Sequence, residues 1–202
     1  MQITADMIKA LRAETSAGVL DCRKALQESN GDYQKALAWL QEKGMAMAAN
    51  RVDRAASNGM IEIYSHGGGR VGVMVEVNCE TDFVARSEQF RTLAHEIALQ
   101  IAANAPRYIR ADDIPADELD TETEKAKRRA KEEGKSGAVV DKIVEGSLEK
   151  YRNEVVLLRQ AYIRDENLTV EKLIMQNVAA IGENVVVRRF ERWELGESAR
   201  QE

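Results

Sequence analysis

The sequence holds few of the residues on which enzymes, metal sites and disulfide frameworks depend. Its 202 residues include two cysteines, two histidines and two prolines, and only 5% of them are aromatic. Cys22 and Cys79 lie far apart, without the paired spacing of a metal knuckle or a disulfide framework. No carboxylate spacing around His66 or His95 indicates a catalytic triad or a metal cage. We therefore expect a protein that is not an enzyme and that needs no cofactor and no metal.

An excess of basic charge and long apolar runs are also missing. Asp and Glu number 34 against 29 Lys and Arg, for a formal net charge of -5. A phosphate-binding protein needs a basic face, and so few aromatics leave little for base stacking. No apolar run approaches the roughly 18 residues of a membrane span, and the N-terminus shows no secretion signal. We expect a cytoplasmic protein with no direct nucleic-acid or membrane partner.

Hydrophobic residues make up 44% of the chain, which is enough for one large domain or two small ones. The pattern along the chain predicts an α+β fold in two parts. Residues 1–55 are expected to form a three-helix module. Residues 56–202 are expected to form a small antiparallel sheet covered by helices, with a short charged helical arm at about residues 120–136.

The three N-terminal helices are predicted from apolar spacing and from residues that start and stop helices. The first begins near Thr4, and a break at residues 15–18 precedes the second. Asn30-Gly31 ends the second helix, and Asp32 suits the N-cap of a third, which Gly44 would close. A three-helix unit of this size is a common binding module and is rarely an enzyme.

The second part opens with a hairpin signal. Residues 60–64 and 71–77 alternate in strand fashion around Gly67-Gly68-Gly69. Because a strand and not a helix follows these glycines, they predict a hairpin tip and not a dinucleotide-binding turn. An amphipathic helix is expected after Ser87, and the β-branched and aromatic residues 185–193 predict a last strand.

Between these elements the sequence is mostly helical in pattern. Lys, Arg and Glu crowd together within the predicted arm, which indicates a solvated helix. A long helix is expected from about Ala138, because apolar residues recur at helical spacing as far as Tyr162. Another helix is expected to start at residues 168–174 and to end at Gly182.

The junction at residues 78–86 is the strongest candidate for function. It joins an apolar strand to the amphipathic helix and places Asp82 next to Phe83. Loops on a rigid scaffold often carry function, since their side chains need not serve the core. Phe83 could be displayed as a wedge for a partner's pocket. Alternatively, it could fold into its own core while Asp82 caps the next helix.

Four motifs in order along the chain resemble those of the elongation factor Ts family. The first two are LRAETSAGVLDCRKAL at residues 11–26 and EVNCETDFVAR at residues 76–86. The other two are KIVEG at residues 142–146 and IGENV at residues 181–185. The resemblance spans nearly the whole chain and is closest to the short bacterial form of the family. It implies that the N-terminal module is similar to a ubiquitin-associated domain.

The resemblance implies a nucleotide-exchange factor for the translational GTPase elongation factor Tu, in its GDP-bound and nucleotide-free states. In that family the loop enters the GTPase near its bound magnesium and loosens GDP. The partner-binding residues implied are Thr81, Asp82, Phe83 and Val84 in the loop, and Arg12, Val19 and Leu20 in the N-terminal module. Many relatives have two methionines in place of Val19 and Leu20, and a glycine in place of Ser16.

Two further expectations concern assembly and alternatives. A single sheet-and-helix unit leaves a sheet edge and one apolar helix face with little cover, so we expect a homodimer. The competing interpretation is an interaction adaptor, in which the N-terminal module binds another partner and the second domain oligomerises. A third is an RNA-binding protein that uses the basic cluster around Arg128.

Overall fold

The computed structural model describes residues 3–15 and 17–197, so Ser16 of the first motif lies outside the described residues. It contains 58% helix and 19% strand, and the strands form a small antiparallel sheet. These proportions confirm the predicted α+β class. Among the described residues, we find no helix that combines the length and the hydrophobicity of a membrane span.

Three helices form the N-terminal part, as predicted: α1 (Ala5–Thr15), α2 (Val19–Glu28) and α3 (Tyr33–Ala49). Asp32 caps α3 by accepting a hydrogen bond from the Lys35 backbone N–H at 3.1 Å, which satisfies one of the free donors of its first turn. The helices enclose a small core of their own. Its buried residues are Leu11, Cys22, Ala25, Leu26, Ala36 and Leu40.

The prediction that Gly44 closes the third helix is wrong, because α3 continues to Ala49. The reason lies in a neighbouring helix, α8 (Val170–Ile181). A Cβ atom added to Gly44 would stand 3.3 Å from the Cβ of Ala179 on that helix. The glycine therefore permits a close approach between two helices and does not act as a stop.

The sheet has three strands: β1 (Asn58–His66), β2 (Val71–Cys79) and β5 (Val185–Glu194). Their order is β1-β2-β5, so β2 is central. Gly67-Gly68-Gly69 all have positive φ angles, which confirms the hairpin tip between β1 and β2. The predicted last strand is confirmed as β5.

One face of this sheet lies against α5 (Glu88–Asn104). The His95 ring of α5 bonds the Glu62 carboxylate of β1 at 2.8 Å. Arg192 of β5 donates to the carbonyl of Ala102, also on α5. The apolar face of α5 is buried, as its spacing predicted. Its buried apolar residues are Phe90, Leu93, Ala94, Ile97, Ala98, Ile101 and Ala102.

The charged arm belongs to α6 (Ala116–Glu132), which packs along α7 (Ala138–Val155). Alanines at positions 126 and 130 are the buried residues of α6. Three basic residues of α6 pair with neighbouring acids: Lys125, Lys127 and Arg129. Lys127, for example, donates to Glu124 at 2.9 Å.

The prediction of a helix as far as Tyr162 is wrong, because α7 ends at Val155. There the backbone pairs with a distant segment: the amides of residues 107 and 108 both donate to the Val155 carbonyl, at 2.8 and 3.0 Å. A short hairpin follows, β3 (Ala161–Tyr162) and β4 (Asp165–Thr169), so α8 begins two residues later than expected.

The described chain divides into two compact units. The first contains the N-terminal helices, the candidate loop and most of α8. The second contains the arm, the β3–β4 hairpin, the tip of the β1–β2 hairpin and the end of β5. The first comprises Met1–Ile61, Glu76–Ala94 and Lys172–Arg188, and the second comprises Glu62–Val75, His95–Glu171 and Arg189–Glu202. The predicted domains, residues 1–55 and 56–202, stay a prediction.

Candidate partner-binding site

The candidate loop forms a single helical turn, α4 (Asp82–Ala85), directly after β2. Thr81 is its N-cap, since the Thr81 hydroxyl accepts a hydrogen bond from the Val84 amide at 3.3 Å. Asp82 therefore lies in the first turn and is not the cap, so the alternative in which Asp82 caps the next helix is wrong. A carboxylate in a first turn is still favourable, because it faces the positive end of the helix dipole.

Phe83 is displayed on the surface. Its exposed fraction is 83%, whereas that of Val84 is 9%. Phe83 therefore does not fill the core of its own chain, and Val84 anchors the turn instead. An aromatic ring left this exposed is typical of a surface that binds a partner.

Asp82 has a cationic neighbour in the free chain. Its carboxylate lies 3.0 Å from the guanidinium of Arg86, one turn later, and both side chains are mostly exposed. An ion pair at this spacing and exposure is weak. A partner could therefore compete for the Asp82 carboxylate at little cost.

The loop is tied to residues that follow α8. The Glu183 carboxylate accepts hydrogen bonds from the amides of Glu80 and Thr81, at 3.1 and 3.0 Å, and from the Thr81 hydroxyl at 2.7 Å. In return, the backbone N–H of Asn184 donates to the Glu80 carboxylate at 2.7 Å. The second and fourth motifs of the sequence thus meet in space.

Further contacts hold the strand that leads into the loop. The Asn58 side chain donates to the Glu80 carbonyl at 2.7 Å, and the Cys79 thiol donates to the Thr81 carbonyl at 3.2 Å. Burial raises the pKa of the Cys79 thiol above its ordinary value, so the thiol stays protonated and acts as a donor. A Cβ at Gly59 would stand 2.1 Å from the Val77 carbonyl oxygen, so only glycine fits beside β2 here.

The N-terminal site residues lie on α1 and α2 of the same compact unit as the loop. Val19 and Leu20 occupy the first turn of α2 and are 49% and 80% exposed, although helical spacing alone does not distinguish them from the core residues of that helix. Arg12 is exposed in the last turn of α1. These three side chains are accessible on the surface of the free chain.

The segment after α3 is linked to the loop through Asn184 and through the Arg54 guanidinium, which lies 3.7 Å from the Glu80 carboxylate. The side-chain amide of Asn184 donates to the carbonyls of Val52 and Arg54, at 3.0 and 2.7 Å. Its backbone N–H donates to the Glu80 carboxylate. Sequence reasoning named this motif as family evidence but gave Glu183 and Asn184 no role. No local pattern could have assigned one, because the contacts join residues more than 100 positions apart.

Within the part of the chain that the structure describes, no group of three or more His, Cys, Asp or Glu side chains could hold a metal ion. The loop is held in place by hydrogen bonds and exposes one aromatic ring, that of Phe83. Its geometry fits recognition of another macromolecule.

Comparison with known proteins decides the family. The family model described as Elongation factor TS matches residues 2–197. This chain belongs to the elongation factor Ts family. The match includes both the N-terminal helices and the loop at residues 81–84.

Curated members of the elongation factor Ts family are similar over nearly their full length. The protein from Coprothermobacter proteolyticus is 51% identical over 197 residues, which cover 98% of this chain and 100% of the relative. The one from Caldanaerobacter subterraneus subsp. tengcongensis is 52% identical, with 96% and 98% covered. That from Heliobacterium modesticaldum is 50% identical, with 96% and 91% covered. Membership in the elongation factor Ts family places the chain in protein biosynthesis, at translation elongation.

Proposed function

We propose that this chain is a cytoplasmic guanine-nucleotide exchange factor for elongation factor Tu, and that it inserts the Asp82–Phe83 turn near the magnesium site of the GTPase. Membership in the elongation factor Ts family supports the exchange role at the level of the family. The observation that carries the proposal for the loop is the Phe83 ring, 83% exposed on a turn that is anchored on both sides.

Exchange of this kind requires no covalent chemistry. Magnesium bridges the phosphates of the bound nucleotide and cancels part of their charge, so disturbing it removes much of what retains GDP. Phe83 would enter an apolar pocket of the GTPase and displace the elements that hold the ion and the phosphates. Asp82 would lie beside it, and Thr81 and Val84 would hold the turn.

The N-terminal module would supply binding free energy that offsets this distortion. Leu20 and Val19 offer exposed apolar surface at the start of α2, and Arg12 adds a positive charge on α1. Burying apolar surface contributes roughly 25 cal/mol per Å². Each tenfold loosening of GDP needs about 1.4 kcal/mol of preference for the distorted GTPase.

A homodimer is part of the proposal. Ile63, Met74 and Trp193, one on each strand of the sheet, are 75%, 49% and 77% exposed. Glu62 and Arg192 adjoin Ile63 and Trp193 and contact α5, and the two residues that flank Met74 are buried. Alternation along the strands therefore places the three apolar side chains on the opposite face. A second copy could cover this face by the same surface, as in most two-fold dimers.

No direct contact with nucleic acid is proposed. Two basic residues of the cluster around Arg128 lie beside acids: Lys127 is 2.9 Å from Glu124, and Arg129 is 3.2 Å from Glu133. Such pairing lowers the positive potential that phosphates require.

The linkage between nucleotide and exchange factor tests the proposal. If the chain weakens GDP binding, GDP must weaken the chain's binding to the GTPase by the same factor. We would measure the affinity of the chain for nucleotide-free and for GDP-bound elongation factor Tu by titration calorimetry. We expect clearly tighter binding without nucleotide. Equal affinities would reject exchange and favour the adaptor interpretation.

A further inference from the structure

The Glu183 carboxylate is surrounded by donors from a single short segment. Both oxygens are used: one accepts from the amides of Glu80 and Thr81, and the other accepts from the Thr81 hydroxyl. We propose that Glu183 is a positioning residue for nucleotide exchange, which fixes the direction in which the turn presents Phe83. This inference rests on the proposed function and adds a residue that acts through the loop without being part of it.

The turn needs such a support because it is very short. Helix α4 has four residues, and a helical turn of this length is not stable by itself. Its orientation is therefore set by what holds its two ends. Val84 anchors the turn by burial, and the N-terminal end depends on Thr81.

Thr81 connects Glu183 to the turn through one hydroxyl group. Its oxygen accepts from the Val84 amide at 3.3 Å while its proton is donated to the Glu183 carboxylate at 2.7 Å. A hydrogen bond to an ionised acceptor is shorter and stronger than one between neutral groups. The carboxylate thus orients the hydroxyl, and the hydroxyl orients the first turn of α4.

The position of Glu183 is itself determined by its neighbours in sequence. Gly182 ends α8 with a φ of 87°, a conformation that glycine adopts readily, and this turns the chain toward the loop. Asn184 is buried and bonds Glu80, Val52 and Arg54. Glu183 is therefore placed by the backbone on both sides, and its carboxylate can resist a force applied to Phe83.

A wedge must withstand the reaction force of the element that it displaces. If the support of the turn is removed, Phe83 can still reach the GTPase. The turn would then move, and the residues around the magnesium ion would stay in place. Removing the support should therefore lower the maximal rate of GDP release. The concentration of the chain that gives half of this maximal rate should change little.

The test compares two variants at position 183. Glu183→Ala removes all three hydrogen bonds, and we expect the maximal GDP-release rate to fall roughly tenfold with a change of less than about threefold in the half-saturating concentration. Glu183→Gln should retain most of the rate, because its amide oxygen can accept from both backbone amides and its NH₂ can donate to the Thr81 hydroxyl. Glu149→Ala, which removes a carboxylate bound to Arg159 in the other compact unit, is the matched control.

Two readouts separate positioning from a general loss of stability. In the free chain, the amides of Glu80 and Thr81 should exchange with deuterium faster in Glu183→Ala than in the wild type or in Glu149→Ala. In a Phe83→Ala background, Glu183→Ala should cause almost no further loss of rate, since it acts through Phe83.

The possible failures are distinguishable. A wild-type chain that does not accelerate GDP release overturns the proposed function and this inference with it. A wild-type chain that does accelerate release, together with a Glu183→Ala variant of equal maximal rate, overturns the inference alone. The inference is also overturned if the double variant Glu183→Ala/Phe83→Ala shows a loss of maximal rate equal to the product of the losses in the two single variants. If Glu183→Ala does not fold, Thr81→Val compared with Thr81→Ser tests the same connection.

Discussion

Phe83 and Val84 are consecutive residues of one four-residue helix, yet Phe83 is 83% exposed and Val84 only 9%. The same turn therefore displays one side chain on the surface, which we propose for a partner, and buries the other in its own core. Thr81 joins them to Glu183 and sets their orientation. This division of roles makes the effects of neighbouring substitutions separable.

Phe83→Ala should reduce exchange without reducing stability. Burying a phenylalanine contributes about 1.5–3 kcal/mol, so loss of the ring should lower the maximal GDP-release rate about ten- to a hundredfold. The free energy of unfolding should change by less than about 0.5 kcal/mol, because the ring is exposed in the free chain. Val84→Ala is the comparison, and it should destabilise the chain by about 1–2 kcal/mol. Urea denaturation and the exchange assay together check both statements; an unaltered exchange rate in Phe83→Ala would contradict the wedge.

Asp82→Ala should have a smaller effect on exchange than Phe83→Ala. The apolar Phe83 ring can hold a helix of the GTPase out of place, whereas the small, mostly exposed Asp82 carboxylate has no comparable bulk. Arg86→Ala serves as the control, because it frees the carboxylate without removing it. The measurement is the maximal GDP-release rate of each variant. If Asp82→Ala abolished exchange while Phe83→Ala left it normal, the assigned order would be reversed.

Glu96 should make the second unit sensitive to acid. Its carboxylate accepts from Arg164 at 2.6 and 2.9 Å and from the Tyr162 hydroxyl at 2.6 Å. The hydrogen bonds from Arg164, with that from Tyr162, hold the pKa of the Glu96 carboxyl below its ordinary 4.5 against the opposing effect of burial. The folded state therefore binds this proton more weakly than the unfolded state. The resulting stability is present above about pH 4.5 and is lost as the pH falls through the folded pKa.

Glu96→Gln tests this linkage. The difference in free energy of unfolding between the wild type and this variant should be largest near neutral pH and should shrink below pH 4.5. Glu166→Gln, at an exposed position of β4, is the matched control for replacing a surface carboxylate in the same unit. Denaturation at a series of pH values gives the result. A difference that stayed constant with pH would contradict the assignment.

The exposed sheet face should mediate a homodimer. Ile63→Lys places a charge on that face and should raise the dimer dissociation constant at least about tenfold, since burying an unpaired charge is costly. Leu20→Lys introduces the same charge at an equally exposed apolar position on α2 and should leave the dimer intact. Sedimentation velocity over a range of concentrations checks both. A wild-type chain that is monomeric at every concentration would contradict the dimer.

The features that sequence reasoning predicted correctly are those that local pattern determines. The N-cap at Asp32, the glycine tip between β1 and β2, and the apolar face of α5 each follow from residues close together in the chain. The residues around Phe83 did not decide between an exposed and a buried ring, because an apolar side chain after a strand more often fills the core. Family resemblance, and not periodicity, favoured its display.

The features that were mispredicted depend on contacts between distant residues. Helix α7 ends at Val155 because its carbonyl accepts from residues 107 and 108, although the apolar spacing continues to Tyr162. Gly44 looked like a helix stop, and only the approach of Ala179 explains a glycine inside α3. Glu183 gave no local signal, because its donors lie more than 100 positions earlier in the chain.

The central claim is tested most directly by stopped-flow release of fluorescent GDP from elongation factor Tu, with and without this chain, against excess unlabelled GDP. We expect release to accelerate and to saturate as the chain is added, and we expect the acceleration to be largely lost with Phe83→Ala. Release that is unchanged by a folded wild-type chain, with a GTPase from the same source, would contradict the account.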